Sequence, residues 1–153
     1  MQQDMINQTN NRLTFSFQQK STALSLLVVL GGAFYYVTNM WPMRPIALAN
    51  DIIPAGYGSL LLSTVMLITV SQIVLQIALA IATGNASTTP HDKVAALKAN
   101  RNAYFVLVAG VFAAVGSVFL EELTPFCTAN LATMGFLAAE IVKLTSQLYY
   151  SRR

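Results

Sequence analysis

Four apolar stretches, each close to the length that a helix needs to cross a bilayer, constrain the fold of this chain most strongly. A helix rises about 1.5 Å per residue, so roughly 20 apolar residues span about 30 Å of hydrocarbon. Apolar residues make up 55% of the chain and charged residues only 10%, which gives a mean hydropathy of +0.55. The sequence therefore predicts an all-α membrane protein with four transmembrane helices. The predicted spans are residues 22–40, 56–82, 103–120 and 125–150.

The connections between these stretches predict an antiparallel up-down bundle. Residues 121–125 predict a very short hairpin, so the third and fourth helices are expected to be antiparallel neighbours. Thr89, Pro90 and Asp92 predict a helix start, because they offer a cap, a first-turn proline and an acid at the positive end of the dipole. The third helix is therefore expected to begin near residue 90 and to extend beyond the bilayer.

The ends of the chain predict one transmembrane domain with a short tail. Residues 1–21 are polar and rich in Gln and Asn, and they lack the features of a signal peptide, so we expect a retained tail followed by a four-helix domain at 22–153. Trp41, Pro42 and Pro45 predict interfacial anchoring and then a helix stop.

The distribution of Lys and Arg predicts that both termini are cytoplasmic. Basic residues accumulate on the cytoplasmic side of short loops. Arg44 is the one basic residue in the two predicted outer loops. The second of these loops has no Lys or Arg and carries Glu121 and Glu122 instead. The opposite side carries seven basic residues, namely Arg12, Lys20, Lys93, Lys98, Arg101, Arg152 and Arg153.

A polar cluster is predicted inside the membrane around Glu140. Glu140 lies fifteen residues past Pro125 and Gln72 sixteen past Gly56, so both are expected about 22 to 24 Å from the outer ends of their helices. Polar side chains recur at helical spacing on both helices, which predicts two stripes that pack together. The candidate residues are Glu140, Lys143, Gln147 and Thr133 on the fourth helix and Gln72 and Gln76 on the second.

Three interpretations of this cluster remain open. Polar side chains hold membrane helices together, and a Glu–Lys pair at i, i+3 neutralises itself. An intramembrane acid also serves in ligand, ion or proton binding, and it can contact a partner protein. Small residues, among them Gly110 and Gly135, predict close packing of the third helix on the fourth, and a second small-residue face leaves homodimerisation open.

Enzymatic chemistry finds little support in the residues. His91 is the only histidine and Cys127 the only cysteine, which excludes a bis-histidine haem, a zinc site built on several His and Cys, and a dithiol relay. Neither a serine–histidine–acid set nor a glycine-rich phosphate loop is present. The chain is therefore predicted to be no enzyme and to use no cofactor and no metal. Its expected partners are the lipid bilayer and a protein or a second copy, with no nucleic acid and no identified small molecule.

The second half of the chain, residues 92–153, resembles small bacterial four-helix integral membrane proteins of unknown function. The resemblance rests on Leu97, Arg101 and Ala103-Tyr104, on Ala139-Glu140 with a basic residue at Lys143, and on the ending 147–153. It implies a bacterial inner-membrane location and a recurring Glu in the fourth helix. The sequence departs from it at His91-Asp92-Lys93, where a more acidic cluster is expected.

Two functions follow as hypotheses. The first is a non-enzymatic inner-membrane protein that acts through protein contacts, as an accessory, regulatory or sensor subunit. The second is a small proton-coupled transporter or exporter in which a homodimer places two Glu140 side chains along one path. An enzyme acting on lipid or quinone is a more distant third.

Overall fold

The computed structural model describes residues 17–83, 90–120 and 123–151. Predictions that concern the N-terminal tail before Phe17, the loop 84–89, the Glu121–Glu122 pair and the last two arginines lie outside these described residues.

Four helices in the described part of the chain are long and apolar enough to cross a membrane, which confirms the predicted all-α four-helix fold. A 3₁₀ turn and a short helix lie between the first and second of them. We number the α-helices in chain order. They are α1 (Phe17–Met40), the 3₁₀ turn (Trp41–Met43), α2 (Arg44–Asn50), α3 (Tyr57–Thr83), α4 (Pro90–Ser117) and α5 (Pro125–Ser151).

Helix α1 begins five residues before the predicted Thr22, at Phe17. A helix satisfies its own backbone hydrogen bonds, so it continues past the apolar stretch into polar residues. The Gln19 Nε2 atom donates a hydrogen bond of 2.7 Å to the Ser151 carbonyl at the end of α5. The start of α1 and the end of α5 therefore lie at the same end of the bundle.

The prediction of a helix stop after Met40 is wrong, because the chain stays helical as far as Asn50. The chain passes through the 3₁₀ turn directly into α2, because each of the two prolines lies in the first turn of a new helical element. A proline there loses no hydrogen bond and has a suitable φ angle. The chain turns fully after Asn50, where Asp51 adopts a φ of 51° and Gly56 a φ of 89°.

Helices α4 and α5 form a tight antiparallel pair. A Cβ atom added to Gly110 would lie 2.7 Å from the Cα atom of Gly135, so the two backbones touch. The Ser117 and Thr128 hydroxyls are 2.8 Å apart at one end of the pair. The prediction that small residues bring these two helices together is confirmed.

The core lies at the opposite end of the bundle from Gln19, where α1 ends and α3 and α5 begin. Tyr36 is fully buried there, and the Tyr57 ring packs edge-on against Phe126 with 5.0 Å between centroids. The Tyr36 hydroxyl donates to the Asn130 Oδ1 atom at 2.8 Å and lies 2.7 Å from the Tyr57 hydroxyl. We call Tyr36, Tyr57, Phe126 and Asn130 the aromatic cluster.

Helix α3 is held mainly by its first turns. Its buried residues, Tyr57, Leu60 and Thr64, all lie within its first eight positions. None of the residues in its most apolar 18-residue window is buried, whereas 28% of the corresponding window of α1 is. Beyond these first turns α3 packs on α1, where the Ile68 side chain lies against Gly32. This packing leaves a gap between α3 and α5 beside the middle of α3, at residues 65–72.

Candidate functional site

The separation of α3 from α5 creates a cleft in the membrane-spanning part of the bundle, and the predicted acid lies in it. Its volume is about 200 Å³. We call it the α3–α5 cleft. It is lined by Val29 of α1, by Val65, Ile68, Thr69 and Gln72 of α3, and by Phe136, Leu137, Glu140 and Lys143 of α5.

The charged wall of the cleft is an ion pair on α5. The Lys143 Nζ atom donates to both carboxylate oxygens of Glu140, at 3.2 Å each. The two side chains are 36% and 29% exposed, so each still presents polar atoms to the cleft. A spacing of three residues sets both on one face of the helix. The pair therefore carries no net charge, but the ammonium and the carboxylate remain within reach of a third group.

The opposite wall carries amide and hydroxyl groups of α3. Gln72 is half-buried and lines the cleft together with Thr69. Gln76 lies one turn further along the same face, is exposed, and does not line the cleft. Neither Gln side chain makes a hydrogen bond within the part of the chain that the structure describes, so Gln72 and Glu140 share a cleft without a direct bond.

The remaining two predicted residues lie away from the cleft on α5. The Thr133 hydroxyl donates to the Ala129 carbonyl at 2.9 Å, two turns before Glu140 and close to the aromatic cluster. Gln147 is half-buried in the last turns of the helix. The heptad stripe of the sequence is thus present on α5, but it passes from the cluster through the cleft to the far end of the bundle.

Sequence reasoning missed the polar part of the aromatic cluster. Because the Tyr36 proton is donated to Asn130, the Tyr57 hydroxyl donates its own proton to the Tyr36 oxygen. Asn130 is an amide inside an apolar helix, and this was the sequence feature that could have indicated a buried hydrogen bond here. Its partner could not be identified from spacing alone, because Tyr36 is 94 residues away.

The cleft offers binding chemistry. It presents a carboxylate, an ammonium, an amide and a hydroxyl between apolar walls, so it suits one polar side chain or a small polar group. Among the residues that the structure describes, no three His, Cys, Asp or Glu side chains come together as metal ligands would.

Comparison with protein-family models, with curated proteins and with solved structures finds no match to this chain in any of the three.

Proposed function

We propose that the protein is a non-enzymatic membrane protein that acts through helix contacts, as an accessory, regulatory or sensor subunit, and that α3 is the helix that meets its partner. The observation that carries the proposal is the pair Gln72 and Gln76. Both belong to a membrane-spanning helix, and neither amide has a hydrogen-bond partner within residues 17–83, 90–120 and 123–151.

An amide without a partner is unfavourable in hydrocarbon. Transfer of such a group from water to an apolar solvent costs about 4–8 kcal/mol when nothing there can hydrogen-bond to it. In membranes these groups usually bond across a helix interface. Apolar contact contributes little there, because lipid is as apolar as the helix surface. The hydrogen-bonding side chains of α3 therefore support an interface on this face.

The partner that fits is a transmembrane helix of another protein with an Asn, Gln, Ser or Thr at matching depth. A space of about 200 Å³ admits a side chain but no helix, so the partner helix would lie over the opening between α3 and α5. Its polar side chain would then reach Gln72 and the ion pair, while Gln76 would meet the next turn of the same helix.

The ion pair favours this role over proton-coupled transport through Glu140. Both carboxylate oxygens of Glu140 accept hydrogen bonds from the Lys143 ammonium of the same helix. The acid therefore has a partner of opposite charge within this chain, and neither a transported ion nor a second copy is needed to balance its charge.

A bacterial inner membrane with both chain ends in the cytoplasm is the location that we propose. It is supported by the resemblance of residues 92–153 and by the basic residues Lys20, Lys93, Lys98 and Arg101 near the ends of α1 and α4 that are predicted to be cytoplasmic. Two reporter fusions to the C-terminus test this orientation. One reporter is active only in the cytoplasm, and the other is active only outside it.

Site-specific photocrosslinking in native membranes tests the contact role. A photoreactive residue is placed at Gln76 or, as the control, at Val70, which is exposed on another face of α3. We expect an adduct from Gln76 that contains a transmembrane peptide with a polar residue, and none of that mass from Val70. Gln72→Leu should lower the yield of the Gln76 adduct about threefold, because one interhelical hydrogen bond is worth about 0.6 kcal/mol.

The dependence on Gln72 distinguishes this interface from random capture. Equal adducts from both positions, or a yield that Gln72→Leu leaves unchanged, would contradict the proposal. An adduct that contains only a second copy of the chain would replace the accessory role with self-association.

A further inference from the structure

A second pocket lies at the end of the bundle where α4 begins and α5 ends. Its volume is about 310 Å³. It is independent of α3 and of the contact role proposed above. We call it the basic pocket, and it is lined by His91, Val94, Ala95, Lys98 and Tyr150.

The polar groups of this pocket are hydrogen-bond donors. The Lys98 Nζ atom lies 5.7 Å from the centroid of the Tyr150 ring, and no carboxylate in the described chain pairs with it. Asn102 donates to the Tyr150 hydroxyl at 3.3 Å and to Ser146 at 3.4 Å. The Tyr150 oxygen accepts this bond, so its own proton is available to a ligand. Ammonium and hydroxyl donors together suit a phosphate.

Acidic groups do not neutralise the pocket. Asp92 follows His91 in the chain, but it is buried, does not line the pocket and has an interaction of its own. Lys93 and Arg101 are exposed nearby on α4. The pocket therefore favours a ligand with net negative charge.

The pocket lies at the depth of lipid headgroups. Ser117 ends α4 at the other side of the bundle, and Lys98 precedes it by nineteen residues, which corresponds to about 29 Å of helix. This distance matches the roughly 30 Å thickness of the hydrocarbon. The Lys98 ammonium is thus placed at a membrane surface, next to the phosphate layer.

An apolar track leads from the pocket into the membrane. His91, Lys98, Phe105 and Phe112 recur every seven residues and therefore share one stripe of α4. The Phe105 and Phe112 side chains are 64% and 72% exposed. The stripe thus places a basic site at the membrane surface and two exposed rings deeper in the membrane. This arrangement fits a phospholipid whose headgroup lies at the basic site and whose acyl chain lies along the two rings.

We propose that the basic pocket binds the phosphate of an anionic phospholipid, with Lys98 and Tyr150 as its donors and with an acyl chain along Phe105 and Phe112. Basic pockets between transmembrane helices bind anionic headgroups in this way. The lipid would join α4 to α5 at the end of the bundle that lies farthest from their short connection.

Native mass spectrometry of the purified full chain in detergent tests the site. The protein is mixed with equal amounts of dioleoyl phosphatidylglycerol and dioleoyl phosphatidylcholine, and the lipid retained is counted. We expect one phosphatidylglycerol to be retained preferentially. Lys98→Gln should lower its retention about fivefold, which corresponds to about 1 kcal/mol for one basic residue at the surface.

Lys93→Gln is the matched control, because it removes the same charge from the same helix outside the pocket. Phe105→Ala should weaken retention of the long-chain lipid, and circular dichroism should show that each variant keeps its helices. Equal losses for Lys93→Gln and Lys98→Gln, or equal retention of the two lipids, would overturn the proposal. Displacement of the lipid by inorganic phosphate, together with no effect of Phe105→Ala, would assign the pocket to a soluble anion instead.

Discussion

Along α4, helix α5 packs backbone against backbone, whereas along α3 it stands back far enough to leave a cleft of about 200 Å³. The first contact is made by Gly110 and Gly135, which have no side chains to separate the helices. Between α3 and α5, the bulky residues Ile68, Phe136 and Leu137 line the cleft. One helix thus has a closed side and an open side.

The difference reflects how helices associate in lipid. Close approach of small residues and interhelical hydrogen bonds stabilise a contact there, and apolar area alone does not. The closed side has both, since the hydroxyls of Ser117 and Thr128 meet beyond the glycine pair. On the open side the polar groups of Gln72 and Glu140 face each other across the cleft without a direct bond. We therefore expect the closed side to govern stability and the open side to govern binding.

The largest effect is expected from Gly110→Val. The new side chain would meet the Gly135 backbone, which cannot move aside as a flexible side chain could. We expect a loss of about 3 kcal/mol in the free energy of unfolding, measured in mixed micelles with increasing denaturing detergent. Gly116→Val is the control on the same helix, because a Cβ there has no neighbouring atom within 4 Å. Equal losses for the two variants would mean that the close approach does not stabilise the bundle.

The next effect concerns the charged wall of the cleft. Lys143→Leu leaves the Glu140 carboxylate without its partner, and a lone charge inside the membrane costs up to about 2.5 kcal/mol. Glu140→Leu should cost less, because the long Lys143 side chain can extend its ammonium to the interface. The double variant should recover most of the loss, as replacement of a whole ion pair usually does.

Unfolding of all three variants in the same detergent series measures this cycle. Losses that add up in the double variant would contradict a self-neutralising pair, and would indicate that each charge has another partner.

The fold and the ion pair could be predicted because they depend on local spacing. Helix length follows from the apolar stretches, and Glu140 and Lys143 lie three residues apart on one helix, so any α-helix brings them together. Counting residues from the ends of two helices also brought Gln72 and Glu140 to the same depth, and both line one cleft.

The width of the cleft could not be predicted, because it depends on the tertiary packing of α3. Two contacts position α3, one between Ile68 and Gly32 of α1 and the other between Tyr57 and Phe126 of α5. None of these contacts has a periodic signal in the sequence. The helical residues after Trp41 were missed for a different reason, since a proline ends one helix and begins another with equal ease.

The smallest effect is expected from Tyr36→Phe, which tests what fixes α3 at its first turn. The change keeps the ring but removes the hydroxyl that joins α1 to α3 and α5, so Tyr57 and Asn130 lose a buried partner. We expect a loss of about 1–2 kcal/mol in the free energy of unfolding, the cost of leaving such groups unsatisfied.

Tyr35→Phe is the neighbouring control. The Tyr35 hydroxyl makes only a contact of 3.5 Å with Ser63 at an exposed position, so its expected loss is below about 0.5 kcal/mol. If the cluster fixes the angle of α3, Tyr36→Phe should also raise the yield of photocrosslinked adducts from a probe at Gln76. Tyr35→Phe should leave that yield unchanged. A stability loss without any change in crosslinking would mean that the cluster stabilises the core but that the contact of Ile68 with Gly32 sets the opening of the cleft.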